Sequence, residues 1–594
     1  MADAFEVEED SIISLTQPDS AYKTTVEVSF LADLDEDDVI LSVFVPPGVD
    51  SPHPHIRTRT PVSHHSGSAE SLELARRWLD GCVQNHKDCE VPPDTPMPTR
   101  VLDIGDEDRD PVLVETKGRV GRYATLSYCW GKKPQLKTTK ESLSAFLKAI
   151  PVDELQQTAL DAIKICRHLG MPYLWIDALC IVQDDEDDWL RESSRMCEIY
   201  SSSTLTIAAA WSINATQGIF VHQQYGGPGH SQVFSFGDTE VHARRVPLDE
   251  HVGNPLAVNT GRQYTSRVAE KSWVLRPRQV PLARRAWTVQ ERVLSRRVLY
   301  YTPQELWWEC DSCWACECEE GESFDPVDDA NIGSFGWLRN PKRSKSLTPD
   351  QAYKKWAVIV FLYSAGNLTI LSDKLPALSG IAQQFQRALQ TRFGIADDYL
   401  AGMWRRDLAQ QLLWLIGPYV GRPRLAPYPV ECGIPTWSWA SVNGIINHAW
   451  DEQEDGLDPL FTIRDVSTNL ATSDPFGKIS GGKLVLESRV THGHTLRGVP
   501  RPGDTLAGLT LQPSGSLLEF YADRPDQLDP AGCYTCLAAA GGGNAGADWF
   551  MVLTPSQKMD GSYERVGLGA VSRLLGDAKD NMWKDAQIET VTIV

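Results

Sequence analysis

Basic residues are in deficit: 57 Lys and Arg stand against 79 Asp and Glu among 594 residues, a net charge of −22. A surface that binds nucleic acid needs the opposite balance, because it must displace counterions from phosphates. No nucleic-acid partner is expected. Long apolar runs are missing as well, none approaching the ~20 residues that span a bilayer, so no membrane span is expected. The opening MADAFEVEEDSIISL lacks the basic n-region and apolar core of a secretory signal. Thirteen Cys are sparse for a chain of this length, which argues against a disulfide framework. Without an export signal the thiols are expected to be reduced, in a cytoplasmic protein. There is no convincing nucleophile elbow, H-E-x-x-H pair, P-loop or dinucleotide fingerprint, and no internal repeat.

What is present is ordinary globular material, 42% hydrophobic and 23% charged, enough for several domains. Residues 1–70 read as an acidic segment, two strand-like runs (TTVEVSF and DVILSVFVPP) that suggest a hairpin, and a Pro/His/Ser linker containing His64 and His65. Over 71–320, strands and helices alternate, which predicts a doubly wound α/β fold with a parallel sheet and large insertions. The spacing predicts helices over LELARRWLDGCVQNH, Gln157–Leu169, the polar run 186–199 and Arg284–Leu294. YATLSY, TLTIAAA and VLYYTPQELWWEC read as strands, and YLWIDALCIVQ reads as a central strand covered on both faces. The insertion at about 211–280 is expected to cover one end. A helical extension is expected over 321–425, including YLAGMWRRDLAQQLLWLI. A β-rich module over 426–594 is expected from runs such as TWSWASV, KLVLESRV, SLLEFYA, CYTCLAAA and DWFMVL, with AAAGGGNAGAD as a hairpin loop or linker.

In a doubly wound sheet, ligands sit beyond the carboxyl ends of the strands, so polar residues there rank first. Ser127 ends YATLSY, just before a turn that holds Trp130. Asp177 is a lone carboxylate in an apolar run, and is either a structural acceptor for nearby amides or functional. On the predicted helix, Arg284, Trp287, Glu291 and Leu294 share one face. A carboxylate beside a Trp is desolvated and becomes a better acid or acceptor. Arg284, Arg285, Arg292, Arg296 and Arg297 around it would neutralise a diphosphate, or one of them would simply pair with Glu291. Asp184–Asp188 reads as the acidic first turn of a helix. Cys310, Cys313, Cys316 and Cys318, and separately Cys82, His86 and Cys89, depart from zinc-finger spacing, so no metal is expected.

RYATLSYCWG, YLWIDALCIVQDDEDDW, EIYSSSTLTIAAA and RRAWTVQERVLSRRVLY together resemble the heterokaryon-incompatibility (HET) domain of filamentous fungi. WLDGCVQNHKDC upstream and SDKLPALSGIA, YLAGMWRRDLAQQLLW and PTWSWASV downstream resemble segments that accompany it, so the resemblance covers most of 72–445. It implies nonself recognition between fungal strains and regulated cell death. The family is also distantly similar to Toll/interleukin-1 receptor (TIR) domains, which implies a flavodoxin-like fold. WTVQE (287–291) is similar to the W-x-x-x-E helix of TIR domains, whose Glu is catalytic in members that hydrolyse NAD. The resemblance therefore implies N-glycosidic cleavage of NAD(P) or a related nucleotide, a substrate and not a cofactor. Glu291 would be catalytic, Trp287 would shape the pocket, and Arg284 with Lys132 or Lys133 would hold phosphates beside Ser127, Trp130 and Asp177. It also implies self-association or protein partners. Two other readings stand beside it: a non-catalytic oligomerising scaffold, and a family member recruited to small-molecule metabolism.

Overall fold

The computed structural model describes residues 13–16, 27–30, 40–52, 56–92, 94–106, 109–223, 231–236, 239–246, 280–318, 335–342, 346–368, 370–416, 433–449, 457–497, 506–512, 517–541, 547–572, 583 and 586–594. The acidic opening, much of the 211–280 insertion and the AAAGGGNAGAD loop at 542–546 lie outside them. Two compact units make up the chain: Met1–Arg284 with Glu291–Arg343, and Arg285–Gln290 with Ser344–Val594.

An eight-stranded sheet is the backbone of the first unit. Its strands in chain order are β1 (Arg100–Asp103), β2 (Val112–Glu115), β3 (Tyr123–Ser127), β4 (Tyr173–Trp175), β5 (Leu205–Ala208), β6 (Arg297–Tyr301), β7 (Leu306–Cys310) and β8 (Trp314–Cys316). Across the sheet they lie in the order β8-β7-β6-β5-β3-β4-β1-β2. The middle four, β6, β5, β3 and β4, are parallel. Both edges are antiparallel, so the sheet is mixed and not the parallel sheet expected. The reason is connection length. β6, β7 and β8 are joined by turns too short for the crossover that parallel strands require, whereas β3 reaches β4 through the helix Gln157–His168. All five residues of β3 are buried, as a strand covered on both faces must be.

Residues 173–182 correct one expectation. The strand stops at Trp175, and Asp177–Cys180 is a helical turn. Apolar residues on successive positions suit a buried turn as well as a buried strand. The predicted hairpin forms between Glu27–Phe30 and Ile40–Val45, and the latter strand also pairs with Thr239–Val246 from the insertion. The segment read as a linker is tied down over 59–66: Thr60 N–H donates to Cys318 O (3.0 Å), Ser66 N–H to Val221 O (3.0 Å) and Ser63 N–H to Glu317 Oε1 (2.9 Å). Helix α1 (Ala69–Asn85) follows, its N-terminus capped by the Ser68 side chain.

The second unit opens its long helices with Pro349–Ser364, started by a capping box between Thr348 and Gln351, and Pro376–Phe393, stopped by Gly394 at φ +68°. The third helix expected there does not form. YLAGMWRRDLAQQLLWLI becomes the strand pair Tyr399–Leu400 and Met403–Trp404, a short helix Leu408–Gln411 and the strand Trp414–Ile416. Gly402, at φ +96°, makes the tight turn, and a Cβ there would lie 2.8 Å from the Trp439 ring. The Trp356 and Trp439 indoles both donate to its carbonyl at 3.0 Å. TWSWASV, expected as a β run, instead holds a 3-10 turn at Trp439–Ser441. Beyond it the β-rich module forms as expected. Its nine-stranded sheet closes on itself, because Ile479–Leu496 pairs with Leu506–Thr510 on one side and Tyr534–Gly541 on the other. Among the described residues no helix is long and apolar enough to cross a membrane.

Candidate functional site

Within the parallel core the spatial order is β4, β3, β5, β6, so the chain leaves β3 to one side for β4 and crosses to the other side for β5. Such a reversal opens a crevice outside the carboxyl ends of the strands. Ser127 is the last residue of β3, and its carbonyl accepts from Ala209 N–H at the end of β5 (2.9 Å). Its hydroxyl donates to the Glu291 carboxylate. Both side chains are sequestered, Ser127 at 3% and Glu291 at 4% exposure.

Glu291 is carried by helix α2 (Trp287–Leu294), which runs into β6. A line of hydroxyls beneath it crosses the sheet. Thr125 of β3 meets Thr206 of β5 at 2.7 Å, Thr206 meets Ser295 at 2.6 Å, and Ser295 Oγ donates to Glu291 O at 2.5 Å. The line fixes the end of the helix against two strands, since buried hydroxyls must find partners. The sequence reading missed all three. Ser295, four residues beyond Glu291 and so on the same helix face, is the one that spacing would have shown.

Trp130 and Asp177 form a second pair, with Trp130 Nε1 donating to Asp177 Oδ2 at 2.9 Å. Asp177 Oδ1 accepts from Ala178 N–H (2.7 Å), so this carboxylate bonds within the first turn of its own helical segment while joining the loop after β3 to the chain just beyond β4. Gly131, at φ +72°, makes that loop possible, since a Cβ would stand 2.2 Å from the Asn214 Cβ. Lys132 is exposed, and Lys133 Nζ reaches Thr216 Oγ1 at 3.4 Å. Arg284 is half-buried in the 3-10 turn Pro281–Arg284. Trp287 is half-buried and opens α2, in the stretch grouped with the second unit.

Three of the other arginines, Arg292, Arg296 and Arg297, have internal partners. Arg292 pairs with Glu309 (3.1 Å) and Arg296 approaches Asp311 (4.0 Å), to which Arg339 also binds. Arg297 donates to Cys82 Sγ (3.1 Å) and Thr204 O (3.2 Å). These three are therefore committed to the fold and unavailable as a diphosphate clamp. Asp188, from the acidic run, is likewise structural: it binds Arg100 and accepts from Val182 N–H (2.8 Å). Burial works to raise its carboxyl, but the Arg100 guanidinium and the Val182 amide hold it below the ordinary carboxylate range.

A crevice with room for about one water lies beside these elements, lined by Tyr128, Gln135, Ile176, Ala178, Leu179 and Ala215 among others. Ser127, Asp177 and Glu291 do not line it. Elsewhere in the unit, residues of two groups that sequence spacing kept apart meet in space: Cys82, His86 and Cys89 with Cys310. His64 and His65, set aside as linker residues, lie against His222 with ring centroids 5.0 Å apart.

Residues 123–291 match the family model described as heterokaryon incompatibility protein (HET). The matched span begins with β3 and ends on Glu291. No curated protein and no solved structure matches the chain.

Proposed function

We propose, on the match of residues 123–291 to the heterokaryon-incompatibility family model, a protein of nonself recognition and regulated cell death that cleaves NAD(P) or a related nucleotide at its N-glycosidic bond. The observation that carries this reading is the pairing of Glu291 with Ser127 at the carboxyl end of β3, where strand order reverses. Taken in chain order, the four parallel strands lie 2-1-3-4, the order of flavodoxin-like folds, which supports the likeness to TIR domains. Trp287 and Glu291 supply the W-x-x-x-E pattern on one helix.

In the reaction the C1′–N bond breaks and its electron pair leaves with nicotinamide. Water then adds to the oxocarbenium-like C1′ and gives up a proton. Glu291 would stabilise the developing positive charge or bind the ribose hydroxyls. Arg284 and Lys132 would engage phosphates, and Trp130 and Asp177 would hold the neighbouring loop. NAD(P) is a substrate here, and no resident cofactor is called for.

One observation favours a second reading, a non-catalytic protein that signals by self-association or as a scaffold: the Glu291 and Ser127 side chains are both buried. Catalysis therefore requires a rearrangement that exposes Glu291, which assembly would supply. The deciding experiment is nicotinamide release by concentrated full-length protein, with and without enforced oligomerisation, for wild type and Glu291→Ala. The expected result is turnover that falls about 100-fold or more in a variant whose circular dichroism is unchanged. Intact NAD under every condition would hand the lead to the scaffold reading.

A further inference from the structure

Helix α1 ends on a buried thiol. Cys82 lies on its inner face, His86 is the C-cap residue, and a 3-10 turn, Lys87–Cys89, brings Cys89 back beside them. The inner face packs on the sheet edge, with Trp78 against Trp308 of β7. At the end of β7 the chain turns through Cys310-x2-Cys313 into β8. The fold thus sets two short cysteine-bearing turns, more than 220 residues apart in sequence, against each other.

We infer that this junction is a zinc site, in which His86 and the thiolates of Cys82, Cys89 and Cys310 bind one Zn²⁺. The sulfur atoms of the three cysteines and a ring nitrogen of His86 all lie within 4.8 Å of one another. Cys310 Sγ is 3.5 Å from His86 Nδ1. Cys313 adjoins the set, its Sγ 3.4 Å from Cys310 Sγ and 3.9 Å from His86 Nδ1. Zn–S bonds of about 2.3 Å and Zn–N bonds of about 2.0–2.1 Å at tetrahedral angles put S···S near ~3.8 Å and S···N near ~3.6 Å. Within the set, the Cys310 Sγ–His86 Nδ1 separation of 3.5 Å matches the S···N value, and the remaining pairs lie no more than 4.8 Å apart, about 1 Å beyond the S···S value, so the ligand atoms need only small shifts to close on an ion. Three sulfurs and one imidazole nitrogen form the donor set of a structural zinc site, closed by four protein ligands with no position left for substrate.

The surroundings are those that thiolate ligands need. Cys313 N–H donates to Cys310 Sγ at 3.3 Å, while Cys310 N–H donates to Cys313 O at 2.7 Å, so the turn aims a backbone amide at the sulfur. Arg297 Nε donates to Cys82 Sγ at 3.1 Å, and Ser312 Oγ lies 3.6 Å from Cys89 Sγ. Hydrogen bonds of this kind orient ligands and spread their negative charge. None of the described cysteines is in a disulfide. A second group, Glu305, Cys316 and Cys318, offers only three ligand atoms and serves as the internal control. The metal would pin the C-terminal end of α1 to the hairpin that follows β6.

The test uses the full-length chain, purified reduced and without chelator or metal-affinity resin. Elemental analysis is expected to find one zinc per chain. Chelation and addition of Co²⁺ should then give the intense d–d and sulfur-to-cobalt charge-transfer bands of a tetrahedral thiolate site. Cys89→Ser and Cys310→Ser should each lower the zinc content several-fold, while Cys316→Ser/Cys318→Ser retains it. Folded wild-type protein that is metal-free and gives no tetrahedral cobalt spectrum would overturn the proposal. So would zinc that leaves only with Cys316 and Cys318, or a Cys310–Cys313 disulfide found by mass in the native chain.

Discussion

Glu291 in the first unit and Asp523 in the second are both buried carboxylates, yet they are held by different chemistry. Glu291 accepts a hydrogen bond from the hydroxyl of Ser127. Asp523 accepts from the guanidinium of Arg565 at 3.0 Å, with both side chains shut off from water. Arg565 is itself held further, donating to Leu412 O at 2.8 Å and lying 3.6 Å over the Trp414 ring. A guanidinium fork is always charged and fixes one geometry. A hydroxyl can turn, donate elsewhere and release its acceptor. The second unit uses its buried charge to lock a core. The first sets a carboxylate beside a partner that can let it go, at the strand ends where ligands enter such sheets.

The largest expected effect breaks the locked side. Arg565→Ala leaves Asp523 buried without its cation, and should cost about 3–5 kcal/mol. Denaturant unfolding followed by tryptophan fluorescence measures it, since Trp414 lies under the guanidinium. A cost below about 1 kcal/mol would mean that the pair does not lock the core.

Acid probes the same core more gently. His448, on the strand Ile446–His448 that pairs with Trp414–Ile416, is pushed from 6.5 down to about 3, by burial first and then by the nearby Arg565 charge. Between those values the unfolded chain binds a proton that the folded chain does not. This contribution to stability is therefore complete above about pH 6.5 and is lost as pH falls toward 3, by at most about 1.4 kcal/mol per pH unit. Denaturation midpoints at pH 7.5, 6 and 5 should fall in that order, and His448→Asn should flatten the trend. A variant that keeps the full slope would move the acid sensitivity elsewhere.

Much of the parallel core could be read from the sequence, because its helices and strands announce themselves by period. Ala159, Ile163 and Cys166 recur as a helix requires, and Gln157–His168 is one. Patterns that fit two structures misled. Tyr173–Val182 is apolar enough for a strand or a buried turn, and a helix-like run after Tyr399 is broken by Gly402, whose positive φ is invisible until Trp356 and Trp439 close over it. Ser127 and Asp177 stood out as polar residues at strand ends. The Thr125–Thr206–Ser295 line did not, since three hydroxyls on separate elements carry no common spacing. The arginines after Glu291 read as a cluster, but charge in sequence does not name a partner, and Glu309 and Asp311 claim two of them. The thiols were discounted for the same reason: their spacing within each segment is poor, and only the fold joins the segments.

The smallest effect is the most telling for the contrast between the units. Ser127→Ala removes a single hydroxyl and leaves Glu291 with one donor fewer, which should cost about 1–2 kcal/mol. That is well short of the loss expected for Arg565→Ala. If the hydroxyl merely satisfies a structural carboxylate, Glu291→Gln in the Ser127→Ala background should cost much less than it does alone, because the interaction is already gone. Unfolding of the two single variants and the double variant gives that coupling directly. A Ser127→Ala cost matching that of Arg565→Ala would show Glu291 to be locked as firmly as Asp523, and the carboxylate at the end of β3 would then be part of the scaffold.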